Sequence, residues 1–288
     1  MTIANALREA AARLAPTSDT ARLDAEVLMA HALGVTRTDV LLRHMRDAVP
    51  DGFAPLVDRR MAHEPVAYIT GSQEFYGLDL IVNPAVLIPR GDTETLVEAA
   101  REAFAGRPAP ARILDLGTGS GALLLAALSL WPKAEGIAIE RSAPALAVAR
   151  ANGARHAPAA RFIEGDWTKP DWSKGLGQFD LILSNPPYVE DAADLAPSVR
   201  AHEPATALFS GADGLDDYRV LVPQLPDLLA ENGVAMVEIG WTQAAAVCAI
   251  AHDANLTSRV HLDLGNRQRA VEMAKRRNIP LGKAGSDD

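Results

Sequence analysis

Hydrophobic and polar positions follow two rhythms along the chain. Up to about residue 74 the apolar residues recur at helical spacing, and Ile3, Leu7, Ala10 and Leu14 fall on one face. A second helix is predicted from about Ser18 to residue 33, through Leu23, Val27 and Leu28, with Gly34 as its stop. Shorter helical pieces follow at 38–45 and 53–62, split by Pro50-Asp51-Gly52. Residues 75–91 change character. Phe75-Tyr76-Gly77-Leu78 and Leu80-Ile81-Val82 suggest a short extended pair, punctuated by Asn83-Pro84 and Pro89-Arg90-Gly91.

From Asp92 onward, helical and extended patterns alternate. A helix is marked by Leu96, Val97, Ala100 and Phe104. Short apolar strands are predicted at 113–116, 136–139, 161–163, 179–183 and 234–239, with helices after the first and second and another at 220–230. Segments 259–264 and 270–274 suggest a closing antiparallel pair. Such alternation implies an α/β fold with a parallel sheet covered by helices on both faces. The expected division is a helical domain at 1–74, a hairpin connector at 75–91, an α/β domain at 92–281 and a disordered polar tail at 282–288.

Composition narrows the function classes. Of 288 residues, 48% are hydrophobic and 23% charged, enough to bury a core without disulfides. The net charge of -9 speaks against sequence-independent binding of duplex nucleic acid. The single cysteine, Cys248, sits in an Ala-rich helical stretch and reads as a small apolar side chain. The first residues read as a helix broken by Arg8, Glu9 and Arg13 rather than as a signal peptide, and no run has the length of a membrane span. A reduced, cytoplasmic protein is expected. The seven histidines are scattered, so no metal site is expected.

The candidate chemistry gathers at four predicted strand ends, where open parallel sheets bind ligands. The first is Asp115-Leu116-Gly117-Thr118-Gly119-Ser120-Gly121, a glycine-rich turn into a helix. No Lys-Ser or Lys-Thr follows the glycines, so it is not a nucleotide P-loop. The second is Glu140, about 20 residues on, where a carboxylate can accept from both hydroxyls of a ribose. These two features suit NAD and S-adenosylmethionine alike. The third is Asp166-Trp167, a carboxylate beside an aromatic face suited to an adenine.

The fourth, Asn185-Pro186-Pro187-Tyr188, separates those readings. Its prolines fix φ and remove donors, leaving a rigid turn that presents carbonyls. A conjugated NH2 group is a weak nucleophile. The Asn185 side-chain oxygen and the Pro186 carbonyl can accept both its hydrogens, orient it toward an electrophilic methyl and stabilise the charge that develops. Tyr188 offers a flat face for stacking.

With these motifs the chain resembles the seven-stranded class I S-adenosylmethionine methyltransferases. More narrowly, it resembles the protein-(glutamine-N5) methyltransferases that modify peptide chain release factors. Glu64-Pro65-Val66-Ala67-Tyr68-Ile69-Thr70-Gly71, Glu74-Phe75-Tyr76-Gly77, Leu87-Ile88-Pro89-Arg90-Gly91-Asp92-Thr93-Glu94 and Glu203-Pro204 extend the likeness over nearly the whole chain. The resemblance implies a Rossmann-like methyltransferase sheet, with a small helical N-terminal domain that helps dock a protein substrate.

It also implies roles. Gly117, Thr118, Gly119, Ser120 and Gly121 would line the methionine part of S-adenosylmethionine. Glu140 would bind ribose and Trp167 would contact the adenine region, where the strand-end reading also puts Asp166. Asn185 would border cofactor and substrate, and Asn185, Pro186, Pro187 and Tyr188 would clamp the glutamine of a Gly-Gly-Gln loop. S-adenosylhomocysteine would be the product, and a monomer is expected. Three positions depart from the family pattern: Gly91 replaces a second proline, Glu140 a common Asp, and His202 a common aromatic. Glutamine methylation of a ribosomal protein and adenine-N6 methylation of a flipped base remain alternatives. An NAD-dependent oxidoreductase gives the 185–188 turn no role. A non-catalytic binding module gives no reason to keep it.

Overall fold

The computed structural model describes residues 1–276. The tail expected at 282–288 lies outside them. The N-terminal helices are Ile3–Leu14, Ala21–Leu33, a turn at Arg37–Asp39 that runs into a π turn at Val40–His44, Phe53–Met61 and Val66–Thr70. Ile3, Leu7, Ala10 and Leu14 are buried together against Leu28, Met29 and Phe53, as the helical spacing requires. The second helix begins at Ala21 rather than near Ser18. The Ser18 and Thr20 hydroxyls instead donate to Asp24 from outside the helix, at 2.7 and 2.8 Å. Gly34 ends it in the left-handed conformation at φ 67°. The helix at Val66–Thr70 was not predicted; it is a single short turn of chain, too brief to show periodicity.

Strands β1, Ser72–Phe75, and β2, Leu78–Ile81, form the expected hairpin. Its turn falls at Tyr76-Gly77, inside what the apolar pattern read as one extended run. Both residues adopt positive φ, 52° and 77°, the backbone that a tight two-residue hairpin turn demands. Glu94 and Glu98 hold the turn, accepting from the Tyr76 amide at 2.9 Å and its hydroxyl at 2.5 Å.

The remaining strands are β3 (Arg112–Leu116), β4 (Glu135–Glu140), β5 (Arg161–Glu164), β6 (Phe179–Ser184), β7 (Leu229–Glu238), β8 (Leu256–Leu262) and β9 (Gln268–Lys275). They make one seven-stranded sheet in the order β5-β4-β3-β6-β7-β9-β8. Pairing is parallel from β5 through β7, and antiparallel where β9 joins β7 and β8. Both faces are covered. Leu114, Leu116, Ile182 and Val237 pack into one core, and the alternate residues Ile113, Leu181, Leu183 and Met236 into the other.

One predicted helix is overturned. Residues 220–230 do not form a continuous helix but a helix at Asp216–Leu221, a 3-10 turn at Val222–Gln224 and a last turn at Leu225–Leu228. Pro223 and Pro226 lack the amide hydrogens that a regular ladder needs. The Ala-rich stretch around Cys248 is the helix Ala244–Asp253. The strand order reverses at β3, between β4 and β6, which opens a crevice at the carboxyl ends of those strands. Among the described residues no helix is long and apolar enough to cross a membrane.

Candidate functional site

A cleft occupies that crevice, at the place where open parallel sheets bind ligands. Its floor is the turn after β3. The amides of Gly117 and Thr118 both donate to the Ile139 carbonyl, at 2.9 and 3.1 Å, which pins the turn to the end of β4. Gly117 needs its lack of a side chain: φ is 72°, and a Cβ would stand 2.9 Å from Cη2 of Trp167. Gly119 has φ 54° with nothing within 4 Å of its missing Cβ, so that side of the turn is open. Gly121 precedes the helix Ala122–Leu130, whose first residues, Ala122 and Leu123, line the cleft.

Asp115 lies beneath this turn. One carboxyl oxygen accepts from the Thr118 hydroxyl at 2.5 Å and the Leu124 amide at 3.3 Å, while the other has no partner among the described residues. Complete burial pushes its pKa up to about 7, against the pull of the Thr118 and Leu124 donors. Glu140, at the end of β4, accepts from the amides of Gly119 at 3.0 Å and Ser142 at 2.9 Å. Each of its oxygens keeps a lone pair, and the residue lines the cleft.

After β5, Trp167 and Asp166 part company. Trp167 is buried and lines the cleft, with its ring edge against Gly117. Its indole nitrogen has no partner among the described residues. Asp166 accepts from the amide and hydroxyl of Thr168 at 2.9 and 2.7 Å and is not in the lining.

After β6, the Ser184 hydroxyl donates to the Leu116 carbonyl at 2.8 Å and joins the roots of the first and fourth motifs. Asn185 and Pro187 line the cleft, with Nδ2 of Asn185 at 3.5 Å from the Thr93 hydroxyl. Pro186 is buried, and neither it nor Tyr188 is part of the lining. Tyr188 is held by its amide, which donates to Leu208 at 3.2 Å, and by its hydroxyl, which donates to Glu238 at 3.2 Å. Burial and the Glu238 carboxylate raise the Tyr188 pKa, so the phenol stays a donor.

The structure therefore gathers Gly117, Thr118, Gly119, Ser120, Glu140, Trp167, Asn185 and Pro187 around one cleft. Gly121, Asp166, Pro186 and Tyr188 stand beside or behind it. Several lining or supporting residues escaped sequence reasoning. Arg90 and Thr93 line the cleft from the connector. Buried Glu203 accepts from the Ile88 amide at 3.2 Å and pairs with the Arg90 guanidinium, which fastens the connector to the 203–207 segment, and residues of both line the cleft. The motifs around Arg90 and Glu203 carried the family resemblance, and that was their only signal. Glu238, at the end of β7, has one oxygen with no partner among the described residues; burial pushes its pKa up to about 7, against Thr93, Arg269 and Tyr188. A lone acid ending an apolar strand was the cue.

Two family models match this chain. One, described as the PrmC N-terminal domain, matches residues 5–71, and one described as the methyltransferase small domain matches residues 92–203. A release factor glutamine methyltransferase from Geobacter sulfurreducens is 41% identical over 258 residues, spanning 84% of this chain and 89% of the relative. One from Nitratidesulfovibrio vulgaris is 39% identical, spanning 86% of each. One from Caulobacter vibrioides is 41% identical over 263 residues, spanning 88% and 89%. Similarity at this level runs through the helices, the connector and the cleft together, and the chain belongs to the release factor glutamine methyltransferase family.

Proposed function

We propose that this enzyme transfers the methyl group of S-adenosylmethionine to the side-chain amide nitrogen of the glutamine in the Gly-Gly-Gln motif of peptide chain release factors. The observation that carries the reading is the placement of the 185–188 turn. It leaves β6 at the switch point, and Asn185 and Pro187 border the cleft that Glu140 and the glycine turn also line.

The cleft suits the cofactor on its own terms. Glu140 holds two backbone amides and retains a lone pair on each oxygen for a ribose hydroxyl. The missing side chain of Gly119 leaves open space beside it, and the Trp167 ring gives an apolar wall for a base. S-adenosylmethionine supplies a methyl group on a sulfonium, the electrophile of the reaction.

The chain's own groups prepare the nucleophile. With Asn185 Nδ2 facing Thr93, its Oδ1 points the other way and can accept one N–H of the substrate amide. We assign the other to the Pro186 carbonyl, the next acceptor along the turn, although the residue itself lies behind the lining. These fixed acceptors align the nitrogen and stabilise the positive charge that grows on it, and need no reorganisation during reaction. Once methylated, the nitrogen is acidic and releases its proton without a strong base. Tyr188, tied to Glu238, supports the turn from behind.

A cytoplasmic monomer is the setting that fits this substrate. The net charge of -9 favours a protein over a nucleic-acid target. The test is mass spectrometry of release factor incubated with enzyme and S-adenosylmethionine. A gain of one methylene, localised by fragmentation to the glutamine of Gly-Gly-Gln, is expected. Methylation of a ribosomal protein or of adenine in its place overturns the assignment.

A further inference from the structure

Gln243 stands just past the end of β7, at the head of the helix Ala244–Asp253, and its side chain is fully engaged with backbone. Nε2 donates to the Tyr188 carbonyl at 3.0 Å and to the Gly214 carbonyl at 3.2 Å. Oε1 accepts from the Gly240 amide at 2.9 Å. One side chain thus joins the exit of the 185–188 turn, the bend at Gly214 and the exit of β7. The fit is tight. Gly214 has φ 69°, and a Cβ there would stand 2.3 Å from the Tyr188 oxygen and 2.7 Å from Nε2 of Gln243.

The carbonyl of Tyr188 is a sensitive place to hold. Pro186 and Pro187 have φ fixed by their rings, so the turn moves nearly as a rigid body between its two ends. Ser184 anchors the entrance through its bond to Leu116. At the exit, the Tyr188 amide and hydroxyl are bonded at 3.2 Å each, and Gln243 makes the 3.0 Å bond to its carbonyl.

We propose that Gln243 is a positioning residue for methyl transfer, which clamps the Tyr188 carbonyl and so sets the pose of the acceptor turn against the cleft. The inference rests on the acceptor role given to that turn above. A misplacement of about 1 Å costs on the order of 10²-fold in rate, so the effect falls on kcat and not on cofactor affinity.

Two variants test it. Gln243→Met keeps the length and loses all three bonds. Gln243→Glu keeps the oxygen that accepts from Gly240 and, when ionised, loses both donations. In both, kcat for release-factor methylation is expected to fall roughly tenfold to hundredfold at mildly alkaline pH. Affinity for S-adenosylhomocysteine, read by calorimetry, is expected to stay within about twofold, since Gln243 touches no lining residue of the glycine turn. As pH falls, the Glu variant is expected to recover rate relative to the Met variant, because a protonated carboxyl can again donate to a carbonyl. Hydrogen exchange at the Tyr188 and Val189 amides is expected to quicken while the 117–121 turn is unchanged. Wild-type kcat in both variants, or a loss of cofactor affinity that matches the loss of rate, overturns the proposal. Unchanged exchange at Tyr188 and Val189 also overturns it, and that readout needs no acceptor substrate. Wild-type enzyme that leaves release factor unmethylated would sink the substrate assignment alone.

Discussion

Replacing Asn185 with alanine isolates the acceptor from the scaffold. The only side-chain bond Asn185 makes among the described residues is the 3.5 Å contact with Thr93, at the outer edge of hydrogen-bonding distance. Losing it removes less than about 1 kcal/mol of stability. The turn itself is held elsewhere, by Ser184 on Leu116 and by Tyr188 on Leu208 and Glu238. The fold is therefore expected to survive with its Tm within a few degrees of wild type. The rate is another matter. Removing one preorganised partner of a developing charge costs about 10² to 10³ in kcat, or roughly 2.7–4 kcal/mol of barrier. The assay combines initial rates of labelled methyl transfer into release factor, a thermal melt, and calorimetry with S-adenosylhomocysteine. Affinity is expected to change only a few-fold, since Glu140 and the glycine turn, to which the cofactor is assigned, keep their places in the lining. A variant with unaltered Tm and kcat within about twofold of wild type would refute the acceptor argument, because the acceptor Oδ1 is gone in it.

Three further outcomes follow from the geometry. Gly117→Ala places a Cβ at φ 72° and 2.9 Å from Trp167; we expect at least about a tenfold loss of S-adenosylhomocysteine affinity by calorimetry, and undiminished affinity would mean that the turn can shift. Glu203→Ala leaves the buried Ile88 amide without its acceptor and Arg90 without its partner. The expected loss is about 1–3 kcal/mol in denaturant unfolding together with weaker cofactor binding, and an unmoved midpoint would contradict it. Glu238 gives a pH dependence. Its folded pKa is raised from 4.5 to about 7, so the folded state holds a proton that the unfolded state releases; its contribution is complete below 4.5 and is lost as pH rises to about 7. The stability of wild type relative to Glu238→Gln is therefore expected to decline across that window in melts and to level off above it. A flat difference would show that burial does not raise this carboxyl.

The strand ends were legible because their signals are local. Each is an apolar run followed by residues with special backbone or donor properties, as at Leu116-Gly117 and Ser184-Asn185-Pro186. The closing antiparallel pair was likewise visible in its alternation. The hairpin was visible but its turn was not, since Tyr76 takes a left-handed φ of 52° that its residue type does not announce. It does so under the hold of Glu94 and Glu98, which lie in a later helix. The break in the 220–230 helix was written in Pro223 and Pro226 and was outweighed by apolar spacing. The direction of Tyr188 was not legible at all. Its hydroxyl is drawn to Glu238, fifty residues on, and no local pattern encodes that meeting. The same holds for Glu203 and the connector, which lie more than a hundred residues apart.

That last fastening separates two kinds of firmness in the molecule. The floor of the cleft is built on β3, β4 and β6, deep in a sheet buried on both faces. Its side walls, the 85–90 connector and the 203–207 segment, belong to no strand and meet through a carboxylate and a guanidinium. The Arg90 side chain is 40% exposed, so dissolved ions reach it, and at physiological ionic strength screening acts over about 8 Å. Concentrated salt is therefore expected to weaken this fastening before it touches the buried sheet, most at the exposed guanidinium and least at the Glu203 carboxylate, whose side chain is only 2% exposed.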